Sequence, residues 1–179
     1  MGCDSFIGTE NMHILLPPEE TKIFTLELKL VGAKKEQMIF GFAGSFRSAQ
    51  VIKYNLTLPV FDSDDITSEM EYLVNYLVTD IKKIHRKNGI LKDENGIEES
   101  EGCLLLGWRK KLYYIDDDYA VIPSITPYAT IGSGEIVSYG SLHATLDTKL
   151  TAEDRINIAL KSASTNNNFV REPFYIDNI

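Results

Sequence analysis

The chain has 179 residues, 44% of them hydrophobic and 25% charged, with a formal net charge of -8. That length can bury a full core as one domain, and the acidic balance argues against a nucleic-acid partner, which needs Lys and Arg in excess on one face. Cys3 and Cys103 make no C-x-x-C and no Cys/His cluster, so neither a disulfide framework nor a zinc site is legible, and a reducing cytoplasm is the expected compartment.

No apolar run approaches the roughly 18 residues of a membrane span, and the amino terminus lacks the basic flank and apolar stretch of a signal peptide. Met1-Gly2-Cys3 invites a lipidation reading, but the pattern wants Ser or Thr where Phe6 stands. Neither membrane nor nucleic acid is therefore expected as a partner.

Met1-Gly2-Cys3-Asp4-Ser5 reads as the middle of a structural element, with no lead-in before Asp4. Residues 22–31 alternate Phe24, Leu26, Leu28 and Leu30 with Thr25, Glu27 and Lys29, and period two predicts a strand. A turn at residues 32–35 and a short apolar run at 38–43 complete a hairpin. Phe46, Ala49, Ile52 and Leu56 fall at helical spacing before Pro59.

Met70, Leu73, Val74, Leu77, Val78, Ile81 and Ile84 form one helical stripe, with Ser68 and Glu71 as a capping box and Asn88-Gly89 as the stop. Lys82, Lys83, Arg86 and Lys87 lie in its last turns, where cations complement the macrodipole. Residues 92–102 read as an acidic surface loop. Residues 103–108, 111–115 and 120–122 read as strands, and the Asp116-Asp117-Asp118 run between the last two as a solvated turn, since the partner ligands of an EF-hand are absent.

Residues 128–131 read as a strand entering Gly132-Ser133-Gly134, followed by a helix carrying Ile136, Val137, Gly140, His143 and Ala144. A last helix starts at the Thr151 cap and uses Ile156, Ala159, Leu160 and Ala163. It yields at Asn166-Asn167-Asn168 to a strand near 169–176. His13, His85 and His143 are scattered and read as core or surface residues.

Two helical pairs between antiparallel strand groups suggest α+β, a four-layer α-β-β-α sandwich, and pattern alone leaves a two-layer α+β fold open. Gly41-Phe42-Ala43-Gly44-Ser45 entering a helix, Ile131-Gly132-Ser133-Gly134 entering another, and Gly2-Cys3-Asp4-Ser5 at the front, in that setting, resemble the landmarks of HslV and, more distantly, of 20S proteasome β-subunits. The resemblance runs in order over nearly the whole chain and favours the four-layer sandwich of the N-terminal nucleophile hydrolases.

That resemblance implies peptide-bond hydrolysis in which the free amine of a processed Thr is the base for its own hydroxyl, an amine having an ordinary pKa near 8. By position Asp4 matches the family's Asp beside the nucleophile, Lys22 its lysine, and Ser133 the serine that hydrogen-bonds near the amine. Gly44 and Ser45, with Gly132 and Gly134, fall where the family lines its substrate cleft and supplies an oxyanion donor. The implied partners are an unfolded protein or peptide substrate, sister subunits in a homo-oligomeric ring and an ATP-dependent unfoldase. No cofactor is implied and no metal ligand is assigned, and a bound cation is left open because residues 164–168 depart from those where the family often binds one.

One departure matters. In the family a strand beginning with Thr precedes the segment matched by Gly2 and Asp4, and strand plus tight turn take roughly a dozen residues. The expectation is a single proteasome-β/HslV-like domain over residues 1–179, incomplete at its amino end and inactive as it stands. Cys3, adjacent to Asp4 rather than a hairpin away, is not the expected nucleophile. A pseudo-peptidase kept for assembly or binding remains the other reading.

Overall fold

In the computed structural model, which describes residues 1–9, 12–32, 34–62, 68–94 and 96–179, the chain opens with a short strand, β1 (Gly2–Asp4). A hairpin of β2 (Phe6–Thr9) and β3 (Met12–Leu15) follows. Then come β4 (Ile23–Lys29), β5 (Lys35–Gly44) and the helix α1 (Phe46–Asn55), much as periodicity predicts. Ala33, in the expected turn between β4 and β5, lies outside the described residues.

The long helical stripe forms α2 (Glu69–Tyr72) and α3 (Val78–Lys87), joined by a π turn at Leu73–Leu77. Ser68 caps it, its hydroxyl accepting from the Glu71 amide at 3.1 Å. The wider π turn shifts the face: Leu73, Leu77, Val78 and Ile81 are buried, whereas Val74 is exposed and His85 takes an interior place.

The acidic stretch after it is not a plain loop, for β6 (Lys92–Glu94) and β7 (Ile97–Glu99) pair as a small hairpin. Next are β8 (Gly102–Trp108), β9 (Lys111–Ile115) and β10 (Val121–Pro123), then α4 (Glu135–Ala144), α5 (Ala152–Asn166) and β11 (Phe174–Ile176). Thr151 caps α5 in a full capping box with Asp154. The final strand is shorter than the expected 169–176.

The main sheet runs β10-β9-β8-β5-β4, antiparallel throughout. Side chains alternate across it. Phe24, Leu28, Met38, Phe40, Phe42, Leu104, Leu106, Trp108, Tyr113 and Ile115 pack with α1, the π turn and α3 in the principal core. Ile39, Gly41, Ala43, Leu105 and Leu112 face the other way. There β1 pairs with β11 under α5, where Gly2 leaves no room for a Cβ beside Ile156, and α4 lies against α5. The four layers are thus α1 with α3, the main sheet, the small β1–β11 sheet, and α4 with α5. No helix among the described residues is long and apolar enough to cross a membrane.

Residues 128–131 are not a strand, which corrects the sequence expectation. Strand character needs a hydrogen-bonded neighbour, and among the described residues the amides of this segment have no backbone partner. The Tyr128 carbonyl accepts the hydroxyls of Ser124 and Thr126.

Candidate active site

Asp4 ends β1 and Lys22 stands just before β4, its carbonyl accepting the Phe42 amide at 3.1 Å. Both side chains are thereby held at the rim of the gap between the two sheets. Lys22 Nζ donates to Asp4 Oδ1 at 2.8 Å, with side chains only 17% and 12% exposed. Asp4 Oδ2 accepts the amides of Phe6 at 3.0 Å and Arg171 at 3.4 Å. These bonds fix both oxygens, so the ion pair is a preset arrangement and not a fluctuating surface contact.

The pair opens onto a cavity of about 620 Å³ whose lining includes Asp4, Lys22, Gly44, Gly132, Ser133 and Gly134. Main-sheet residues Gly41, Ala43 and Leu105 form its floor, and Leu142, Ile156 and Ala159 its roof. Ser133 is exposed, and its carbonyl accepts Asn167 Nδ2 at 2.6 Å. It does not cap α4, because Gly134 occupies the N-cap and has no side chain to offer.

Two glycines bring the turns together. Gly44 has φ +113, and a Cβ there would stand 2.5 Å from the Glu101 carbonyl oxygen. Gly132 has φ +93, and a Cβ there would stand 3.1 Å from that of Ala43. Of the seven residues singled out in the sequence, Ser45 alone is outside the cavity lining. Its amide donates to the Glu101 carbonyl at 2.7 Å, so that donor is already used.

Cys3 and Ser5, which flank Asp4, are both buried. The Cys3 thiol is buried, and desolvation pushes its pKa up to about 11, leaving it protonated at neutral pH. Ser5 is fully buried, with its hydroxyl against the Arg171 carbonyl. The Met1 amine points to the Asp177 carbonyl, and burial lowers its pKa.

The cavity is a slot between the two sheets. Met1 and Asp177 exchange both backbone bonds, so by antiparallel alternation Gly2 and Asp4 turn their backbone groups away from β11. Among the described residues, no bond joins that edge to another strand. The unpaired amides of residues 128–131 border the same cavity. Nothing local in the sequence marks this slot, since its walls come from distant segments.

Asp116-Asp117-Asp118 is a hydrogen-bonded turn, with Asp116 Oδ1 accepting the Asp117 amide and Asp118 Oδ1 the Ala120 amide. At residues 164–168, the Asn168 carbonyl accepts Arg171 Nε at 3.0 Å.

No protein-family model and no curated protein matches the sequence. Solved structures do resemble the fold. BPH from Thiobacillus denitrificans aligns with a TM-score of 0.69 at 12% identity, over 97% of this chain and 88% of that one. Eukaryotic HslV from Trypanosoma brucei gives 0.61 at 17% identity, over 97% and 88%. Anbu, an ancestral beta-subunit from Yersinia bercovieri, gives 0.62 at 14%, over 97% and 73%. These likenesses show an HslV-like and proteasome β-subunit-like fold.

Proposed function

We propose that this chain is an HslV-like, proteasome β-like subunit of a self-compartmentalising protease that cuts peptide bonds with an amino-terminal Thr. The observation that carries this reading is the Asp4–Lys22 pair, locked at 2.8 Å and opening onto the same cavity as Ser133 and Gly44. In this reading the Thr rides on a strand lying in the slot, bonded to the free edge of β1 and to residues 128–131. The Lys22 charge favours the deprotonated nucleophile, and Asp4 holds Lys22 in place. Ser133 orients the amine, and the Gly44 turn faces the carbonyl oxygen, with Gly132 and Gly134 shaping the far side of the substrate cleft. Peptide or unfolded protein is the substrate, sister subunits form a ring in the cytoplasm, and an ATP-dependent unfoldase feeds it.

A second reading, a non-catalytic assembly or binding module, is favoured by one observation: Cys3 and Ser5 beside the pair are both buried and neither is activated. The two readings separate on fluorogenic peptides, with and without an unfoldase. Residues 1–179 alone should show no turnover. A form extended by the genomic segment upstream of the Met1 codon should turn over if that segment begins a strand with Thr, and Thr→Ala there should abolish it. A stop codon at that place, or no turnover at any length, rejects the protease and leaves the module.

A further inference from the structure

Away from the slot, the interior holds a second chain of polar side chains. His85 is buried on α3, with Nε2 3.0 Å from Ser48 Oγ on α1 and Nδ1 2.8 Å from the Tyr119 hydroxyl on the loop before β10. All three residues are buried in the main core. Both ring nitrogens are occupied by neutral hydroxyls, which suits an uncharged imidazole: one nitrogen donates and the other accepts.

Both ends of this chain lead to one place. From Ser48, the first turn of α1 closes on Ser45, whose amide donates to the Glu101 carbonyl. From Tyr119, the loop reaches Asp117, whose carbonyl accepts the Ser100 amide at 2.8 Å. Ser100 Oγ then donates to the Gly102 carbonyl at 2.7 Å. Residues 101 and 102 are the backbone against which Gly44 closes, without room for a Cβ. His85 therefore joins the two arms of a hydrogen-bonded ring that encloses the cleft wall. Tyr119 also holds a φ of +69, a conformation a bulky side chain keeps only when its surroundings impose it.

We propose that Ser48–His85–Tyr119 is a proton-operated latch, which fixes the Gly44–Ser45 wall at neutral pH and releases it when His85 takes up a proton. The charged groups around the ring do not compensate that proton. On α3, Lys82 lies over the Tyr119 ring, 4.9 Å from its centroid, and pairs with Glu98 of β7, as does Arg86. On α1, Arg47 turns to the Asn88 carbonyl. From the end of β9, Asp116 lines the same small cavity as His85, but its Oδ1 accepts the Tyr114 hydroxyl and the Asp117 amide. Among the described residues no carboxylate is hydrogen-bonded to the imidazole.

Burial lowers the His85 pKa from its ordinary value. The neutral form is thus favoured in the folded state. Its contribution is fully present above about pH 6.5 and is lost as pH falls below that value, by up to about tenfold in the opening equilibrium per pH unit.

The test is NMR of the 179-residue chain between pH 7.5 and 5. The His85 ring should titrate below the ordinary His value. Hydrogen-exchange protection at residues 45–49 and 117–120 should drop by up to about tenfold by pH 5.5, while protection at Leu106 and Trp108 changes less. His85→Gln, which keeps hydrogen bonding without titrating, should remove the pH response at those two segments. A ring that titrates at or above the ordinary value, equal loss of protection across the whole chain, or an unchanged response in H85Q overturns the latch. Should H85Q not fold, the wild-type titration and exchange pattern decide alone.

Discussion

The two faces of the main sheet are built from the same strands and end in opposite conditions. On β5, Met38, Phe40 and Phe42 project into a filled core with Trp108 and Tyr113, whereas Ile39, Gly41 and Ala43, one residue along in each case, floor an open slot. The Phe24–Phe40 stack and the Trp108 contacts with Phe61 and Tyr72 lock the first face. On the second, Gly41 and Ala43 leave the cavity floor open. A single period-two pattern thus serves a filled core on one face and an open cavity on the other.

That contrast predicts unequal costs for truncation. Trp108→Ala should lose about 3–5 kcal/mol, because it opens a cavity in a filled core and strips Glu36 of a donor 2.7 Å away. Leu105→Ala, on the same strand but facing the slot, should cost about 2 kcal/mol, the low end for such a change, since part of its surroundings is already empty. Urea denaturation of both variants measures the difference. Equal losses would mean that the slot is not open in solution.

Asp4→Ala sharpens the comparison at the rim of the open face. It removes the acceptor of the Lys22 ammonium and of the Phe6 and Arg171 amides, and should cost about 2–3 kcal/mol. Lys22→Met should cost less, because both amides stay bonded to the carboxylate. A double-mutant cycle on the pair gives their coupling. A cycle that comes out additive would reduce the ion pair to a bystander and remove the main support for the catalytic reading.

How legible this was in the sequence follows the same division. Elements that carry their own signal were readable: the alternation at Phe24 to Leu30, the stripe from Met70 to Ile84, the Thr151 cap. Asp4 and Lys22 were reached through resemblance, and the fold brings them together. What depends on a neighbour was misread or missed. Residues 128–131 have the composition of a strand and no partner to make them one. The β2–β3 and β6–β7 hairpins are short, and the first has no strong turn signal. The π turn moved Val74 to the surface and His85 inward, a shift that ideal helical periodicity cannot contain. Ser48 and Tyr119 lie 37 and 34 residues from His85, so no local pattern could have linked them.

The roof of the slot provides a smaller effect. Thr151 accepts the Asp154 amide at 3.1 Å, and Asp154 in turn accepts the Thr151 amide at 3.1 Å. Thr151→Ala should cost about 1 kcal/mol, read as a lower thermal midpoint. Exchange protection should fall first at residues 152–156 of α5, because Ile156 and Ala159 cover the slot on one side only.

The smallest effect belongs to the rim of the filled face. Glu36 accepts Arg109 Nε at 2.8 Å and Nη2 at 2.9 Å, together with Trp108 Nε1. The Arg109 hydrogen bonds hold its carboxyl below the usual glutamate range. A folded-state pKa below the unfolded one means that the stabilisation is complete above about pH 4.3 and is lost as pH falls through the lower, folded value. Glu36→Gln should cost about 0.5–1 kcal/mol at neutral pH, since the clamp is partly exposed, and less at pH 3. Denaturation midpoints at the two pH values check this. A loss of the same size at both would assign the clamp's contribution to packing against Trp108 and not to the Glu36 charge.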